Sequence, residues 1–257
     1  MNRETIKKII EDNCAEYIKE QFLQCGSSIQ NPMARDIDIM VYVSGNLYDF
    51  FDSFLMRYKD RYIIKKSFVD IWKMYSLKVK ENNEVISFHI VSVEDLRKYV
   101  ERACEPEIYT DINLFSLSMK LPTVYRKWII DTNHLYGNRS MKEELLSMLN
   151  QQRMPVVAIQ ELLRKRIINS VNYYFEKSDS ALFSGIIISQ IFNDCVLYCY
   201  AENGLYYGTL KYLESDLKSF TKGTELAEES ISLYKAINRE DTKSISVRLR
   251  KMQKLLY

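Results

Sequence analysis

The chain of 257 residues is long enough for one large domain or two smaller ones, and it folds without needing disulfide or metal staples. At 47% hydrophobic and 27% charged residues, with seven Gly and four Pro, it is neither disordered nor collagenous. It also lacks the turn residues that an all-β protein spends. Its 36 Lys and Arg against 34 Asp and Glu leave a net charge of +2, which argues against a dedicated nucleic-acid binder.

In chain order, Ile6, Ile9, Ile10, Ala15, Tyr17, Ile18 and Phe22 recur at helical spacing and predict a helix over 3–24, ended by Cys25-Gly26-Ser27-Ser28. Residues 36–43, DIDIMVYV, alternate at first and then turn continuously apolar, the pattern of a strand with one polar end and a buried body. Leu47, Phe50, Phe51, Phe54 and Leu55 predict a helix over 47–58. Residues 73–80 and 84–93 alternate around Glu81-Asn82-Asn83 and predict a hairpin, followed by a helix over 94–102. A short strand is predicted over 126–131. Beyond Ser140 the patterns are helical: 140–150, 154–177, 181–202, 204–220 and 223–237, then a basic amphipathic tail over 241–257. A strand-bearing first part and a helix-only second part predict an α+β chain of two domains, 1–139 and 140–257.

The five cysteines, Cys14, Cys25, Cys104, Cys195 and Cys199, are odd in number and form no CxxC, so free thiols of a reducing compartment are expected. The first residues are charged and amphipathic. The longest apolar runs fall far short of the roughly 20 residues a membrane span needs. A cytoplasmic protein without a membrane partner is expected.

The chemistry concentrates in Gly26-Ser27-Ser28 and Asp36-Ile37-Asp38-Ile39. On a strand, Asp36 and Asp38 share a face, roughly 7 Å apart. Two carboxylates so placed repel each other, and the natural remedy is a hard divalent cation such as Mg²⁺. A Gly-Ser turn lets backbone amides and a small hydroxyl approach a phosphate. Together they point to metal-assisted phosphoryl or nucleotidyl transfer. The bland alternative is a surface strand bearing two solvated acids.

These residues resemble the signature of the DNA polymerase beta-like nucleotidyltransferase superfamily, a glycine-serine turn followed by two aspartates flanking an apolar residue. The layout is most similar to the small bacterial aminoglycoside-type nucleotidyltransferases, which join a catalytic α/β domain with a mixed sheet to a C-terminal helical bundle. Ile86–Val100 looks like the strand and helix that present the family's third carboxylate. Trp128-Ile129-Ile130-Asp131 is similar to a late strand ending in an aspartate, and Tyr206–Leu213 to a bundle helix carrying a lysine among aromatics.

The resemblance implies Mg²⁺ on Asp36 and Asp38, and nucleoside triphosphate held by Gly26, Ser27, Ser28 and Lys211. A hydroxyl acceptor would lie between the domains, with Glu161 as general base. Arg35 would pair with phosphate or with Asp38, and Asp131 would cap a turn. One departure stands out: the strand over 85–93 contains no acid. Ser87 and His89 share a face there, and one of them takes the third position. A neutral histidine can act as a base or a ligand, and a serine cannot serve as the base. His89 can equally be a structural histidine at a sheet edge.

The expected function is transfer of a nucleoside monophosphate from the triphosphate to a small-molecule or protein hydroxyl. The small basic excess of the helical part disfavours a polycationic aminoglycoside as acceptor. The alternative is a catalytically impaired nucleotide- or partner-binding module, as in a toxin–antitoxin or defence system. A nucleic-acid polymerase would need a basic groove. The clusters Arg164-Lys165-Arg166 and Arg248-Arg250-Lys251-Lys254 read instead as solvated helix faces.

Overall fold

The computed structural model describes residues 3–14, 20–25, 36–58, 62–69, 74–81, 83–102, 105–106, 129–130, 132–151, 154–177, 181–205, 207 and 213–257. These fall into two compact units. Described residues within Met1–Glu101 and Tyr125–Gln152 form the first, and those within Arg102–Val124 and Arg153–Tyr257 the second.

The first unit runs α1 (Arg3–Cys14), β1 (Gln21–Cys25), β2 (Ile37–Val43), α2 (Leu47–Arg57), β3 (Tyr62–Val69), β4 (Met74–Glu81), β5 (Glu84–Ser92), α3 (Val93–Arg102), β6 (Asn133–Gly137) and α4 (Ser140–Gln151). Its strands form one open mixed sheet of order β3-β4-β5-β2-β1-β6. Only the β2–β5 pair is parallel; every other neighbouring pair is antiparallel.

Strand β2 is central, which explains its apolar body. Ile37, Ile39, Val41 and Val43 join a core with Ile6, Ile9 and Ile10 of α1 and Phe50, Phe51 and Phe54 of α2. Phe88 of β5 meets Phe54 and Tyr58 there, with ring centroids 5.1 and 5.5 Å apart. Burying such a ring stabilises the fold by about 1.5–3 kcal/mol. The opposite face alternates with this one, and Met40 and Tyr42 on it are also fully buried. Only Asp36 and Asp38, at the start of the run, stay partly open to solvent.

The ends of β2 are fixed locally. The Ser44 amide donates to Glu20 Oε2 at 2.8 Å. Asn46 then caps α2, its Oδ1 accepting from the amides of Tyr48 and Asp49 at 3.0 and 3.3 Å, a contribution of about 1 kcal/mol. Ser92 ends β5 and starts α3, its Oγ accepting from the Asp95 amide at 3.2 Å.

Four sequence expectations change in the first unit. Of the predicted helix over 3–24, the described residues show a helix at Arg3–Cys14 and a strand at Gln21–Cys25. Phe22 and Leu23 are both buried because β1 lies between β2 and β6 with both faces covered, so the pair mimics a helical repeat after Ile18. The short strand expected over 126–131 is not seen at Ile129-Ile130, which are helical; the strand is Asn133–Gly137. Strand β3 was not expected. Finally, α4 packs with the first unit rather than with the helical part, so this unit extends past residue 139. The Lys142 amide donates to Gln21 Oε1 at 3.0 Å, and Arg97 of α3 pairs with Glu144.

The described elements of the second unit are all helices: α5 (Val156–Lys177), α6 (Ala181–Glu202), α7 (Leu213–Ser219), α8 (Thr224–Asn238) and α9 (Thr242–Leu256). Ile159, Leu163, Ile167, Val171 and Tyr174 form the buried stripe of α5. Helix α6 is the core element, buried continuously from Ile191 to Leu197. Its chain stops at Gly204, at φ +65°, where the Leu205 amide returns to the Tyr200 carbonyl at 2.9 Å. The helix expected over 204–220 is therefore confined, among the described residues, to Leu213–Ser219. No helix among the described residues is long and apolar enough to cross a membrane.

The basic clusters are not simply solvated faces. Arg166 Nε lies 3.1 Å from the fully buried Asp194. Arg248 and Lys251 both hold the buried Glu229, at 3.0 and 2.5 Å. Arg250 sits over the Phe175 ring, 5.0 Å from its centroid. Cys25, Cys195 and Cys199 are buried thiols outside any disulfide.

Candidate functional site

Register assembles the site. Asp38 pairs with Cys25 of β1 on one side and, in the parallel pair, with Ser87 of β5 on the other. Ser87 in turn pairs with Lys78 of β4. Cys25, Asp38, Ser87 and Lys78 thus form one row across four strands, on the face opposite the Phe54–Phe88 core. Asp36 and His89 flank that row on the same face by the two-residue period.

The side chains close on one another within the row. His89 Nε2 is 3.2 Å from Asp38 Oδ1. Although its register partner is Met40, the ring leans back along the strand to reach the carboxylate. Lys78 Nζ donates to Asp36 Oδ2 at 3.2 Å. All four groups are partly open, with side-chain exposures of 36% for Lys78, 35% for Asp36, 22% for His89 and 27% for Asp38. Ser87 lies buried between them.

Burial first, and the Asp38 charge second, push the Cys25 thiol well above its ordinary value, which disfavours the thiolate.

Of the residues expected to act, Asp36, Asp38 and His89 are brought together, with Ser87 between them. Glu161 lies exposed on α5 and belongs to the second unit. Gly26, Ser27, Ser28, Arg35, Asp131 and Lys211 lie outside the described residues. The residue that sequence reasoning missed is Lys78, and the signal was available. The turn after Glu81 pairs Glu81 with Glu84, and counting back gives Lys80–Val85, Lys78–Ser87 and Ser76–His89.

The donor set fits a hard cation only in company. Among the described residues no three His, Cys, Asp or Glu converge on one point. Two carboxylates completed by substrate phosphate oxygens are nevertheless a usual Mg²⁺ environment. Asp36 Oδ1 and Asp38 Oδ2 remain as oxygens with no hydrogen-bond partner among the described residues. A hollow of about 320 Å³ in the second unit, lined by Tyr198, Glu202, Thr224 and Leu256 among others, brings no comparable chemistry together.

No family model matches the chain, and no curated protein matches it. Among solved structures it is similar to a nucleotidyltransferase-like protein from Exiguobacterium sibiricum 255-15. The identity is 11% and the TM-score 0.49, over 99% of this chain and 74% of that one.

Proposed function

We propose that the chain is a Mg²⁺-dependent nucleotidyltransferase of the polymerase-beta type. It would move a nucleoside monophosphate from a nucleoside triphosphate to the hydroxyl of a small-molecule or protein acceptor. The observation that carries this reading is the pairing of Asp36 and Asp38 on one open strand face, beside the parallel strand β5. An acceptor oxygen would bond to the α-phosphorus while the bond from that phosphorus to the bridging oxygen breaks, releasing pyrophosphate.

Asp36 and Asp38 would hold the cation through Asp36 Oδ1 and Asp38 Oδ2. When bound, that cation would neutralise the triphosphate charge and polarise the reacting phosphoryl group. Gly26, Ser27 and Ser28 would hold the outer phosphates, and Lys211 would reach them from a C-terminal helical bundle. These last roles rest on the resemblance alone, as does Glu161 as general base.

We assign His89 to positioning rather than to proton transfer. A carboxylate oxygen at 3.2 Å favours a proton on Nε2, and the remaining ring nitrogen, Nδ1, is buried. The imidazole therefore orients Asp38. A second reading, a binding module without turnover, is favoured by one observation: β5 presents Ser87 and His89, and no acid, to the two aspartates.

The test is a thermal shift of the full chain with each of the four nucleoside triphosphates, with and without Mg²⁺. Ligands that bind only the folded state raise the melting temperature by mass action. Mg²⁺ with nucleotide should stabilise more than nucleotide alone, and Asp38→Asn should abolish that increment while leaving the unliganded melt intact. An increment of unchanged size in Asp38→Asn overturns the assignment. Release of pyrophosphate with an acceptor separates the transferase from the binding module.

A further inference from the structure

We propose that Lys78 is a resident counter-ion of the site, a built-in cation that occupies Asp36 and keeps a divalent ion from settling there until a nucleotide draws the lysine away. The proposal rests on the reading of Asp36 and Asp38 as a cation site and adds a residue that controls it.

Three observations carry it. The Lys78 ammonium is hydrogen-bonded to Asp36 Oδ2 at 3.2 Å, directly on one of the two carboxylates. The contact is reached across a strand: Lys78 lies on β4, Asp36 immediately before β2, and β5 runs between them. Ser87, small and buried, is the register partner of Lys78 on β5, between the two strands that the contact bridges. Finally, Asp38 is engaged by His89 at 3.2 Å, so one oxygen of each carboxylate is already taken in the unliganded protein.

The energetics favour an exchangeable rather than a permanent plug. Lys78 and Asp36 are each about one-third exposed, and such pairs are weak and easily broken. A lysine is a point charge on a flexible four-carbon stem, able to leave one acceptor for another nearby. A triphosphate offers the ammonium several stronger oxygen partners. Once the lysine moves to a phosphate, both Asp36 oxygens face the site, and the phosphates bring the cation with them. The lysine thus makes cation and nucleotide bind together rather than one after the other, because the cation alone must expel a positive charge that the nucleotide removes.

The experiment reads Mn²⁺ binding to the full chain without nucleotide, by electron paramagnetic resonance of the free ion. Wild type should bind Mn²⁺ weakly. Lys78→Gln should bind it roughly tenfold more tightly or better, the scale of one unit charge removed from beside a divalent ion at a partly exposed site. Lys78→Arg keeps the charge and should stay weak. The double variant Asp36→Asn with Lys78→Gln should lose the gain. Thermal melts of each variant establish that it is folded.

Unchanged Mn²⁺ affinity in Lys78→Gln overturns the proposal, as does a gain that survives Asp36→Asn. The two readings fail separately. A protein that binds no nucleotide, yet gains Mn²⁺ on loss of Lys78, keeps the counter-ion and loses the transferase. A protein with a nucleotide-dependent Mg²⁺ increment and an unaltered Lys78→Gln keeps the transferase and loses the counter-ion.

Discussion

Glu229 and Asp194 are both buried carboxylates of the second unit, and acid acts on them in opposite directions. For Asp194, burial pushes the carboxyl up, and the Arg166 charge with hydrogen bonds from Asn193, Gln190 and Arg166 offsets this only in part. The folded state therefore holds its proton more tightly than the unfolded state, and its contribution to stability falls as pH rises from the ordinary aspartate value through the raised one. For Glu229, burial again pushes upward, but hydrogen bonds from Lys251 and Arg248, with their charges, hold the carboxyl below the ordinary glutamate value. Its contribution is present above the unfolded value and is lost as pH falls through the lowered one. Glu229→Gln should thus cost about 1–2 kcal/mol at pH 7, given charged hydrogen bonds to two partly exposed cations. That cost should shrink towards nothing as the solution is acidified below the ordinary glutamate range. Urea melts of both proteins at pH 7 and pH 3 check it; an equal difference at the two pH values contradicts the ion-pair account.

Among the elements, β1 and β6 depend on one close approach. Gly137 lies at φ +89°, and a Cβ there would stand 1.7 Å from the carbonyl oxygen of Glu20. Both the backbone angle and the space exclude a side chain, so Gly137→Ala should destabilise by about 2–4 kcal/mol, read as a lowered denaturation midpoint. The same part of the chain shows where sequence reading stops. Strand β2 was legible because one face alternates and the other is also apolar. The β4–β5 hairpin was legible from its turn. Strand β3 was not, because Lys65 and Lys66 interrupt the alternation of YIIKKSFV at the irregularity between Ile63 and Lys65. NHLYG in β6 is too short to show a period. In the site, Asp36, Asp38 and the Ser87/His89 alternative followed from spacing within single strands. The Lys78–Asp36 pair needed the pairing of three strands, which single-strand patterns do not contain.

For the whole molecule, two compact units with separate cores predict separable responses to damage. Hydrogen exchange read peptide by peptide through the thermal transition follows each unit separately. Gly137→Ala should lower the midpoint of the first unit's described strands by several degrees or more. Glu229→Gln should lower that of the second unit's described helices by a few degrees and leave the first unit within about 1 °C, since 1 kcal/mol moves a domain of roughly 130 residues by about 3–5 °C. Coincident movement of both sets of peptides in both variants would mean that the units unfold as one cooperative body.

The two-residue turn between Glu81 and Glu84 has a further consequence, one of parity. Strand β5 is pinned on its other side by β2, so an inserted residue that the turn does not take up as a longer loop shifts β4 by one position. Every β4 side chain would then change sides. Lys78 would be driven towards Phe54 and Phe88, and Leu77 or Val79 would arrive beside the aspartates. A two-residue shift restores the sides while moving the lysine along its strand and out of the row. Length changes that pass into the strand are therefore tolerated in even steps, and the charge balance of the carboxylate pair is set by a count of residues that touch neither aspartate.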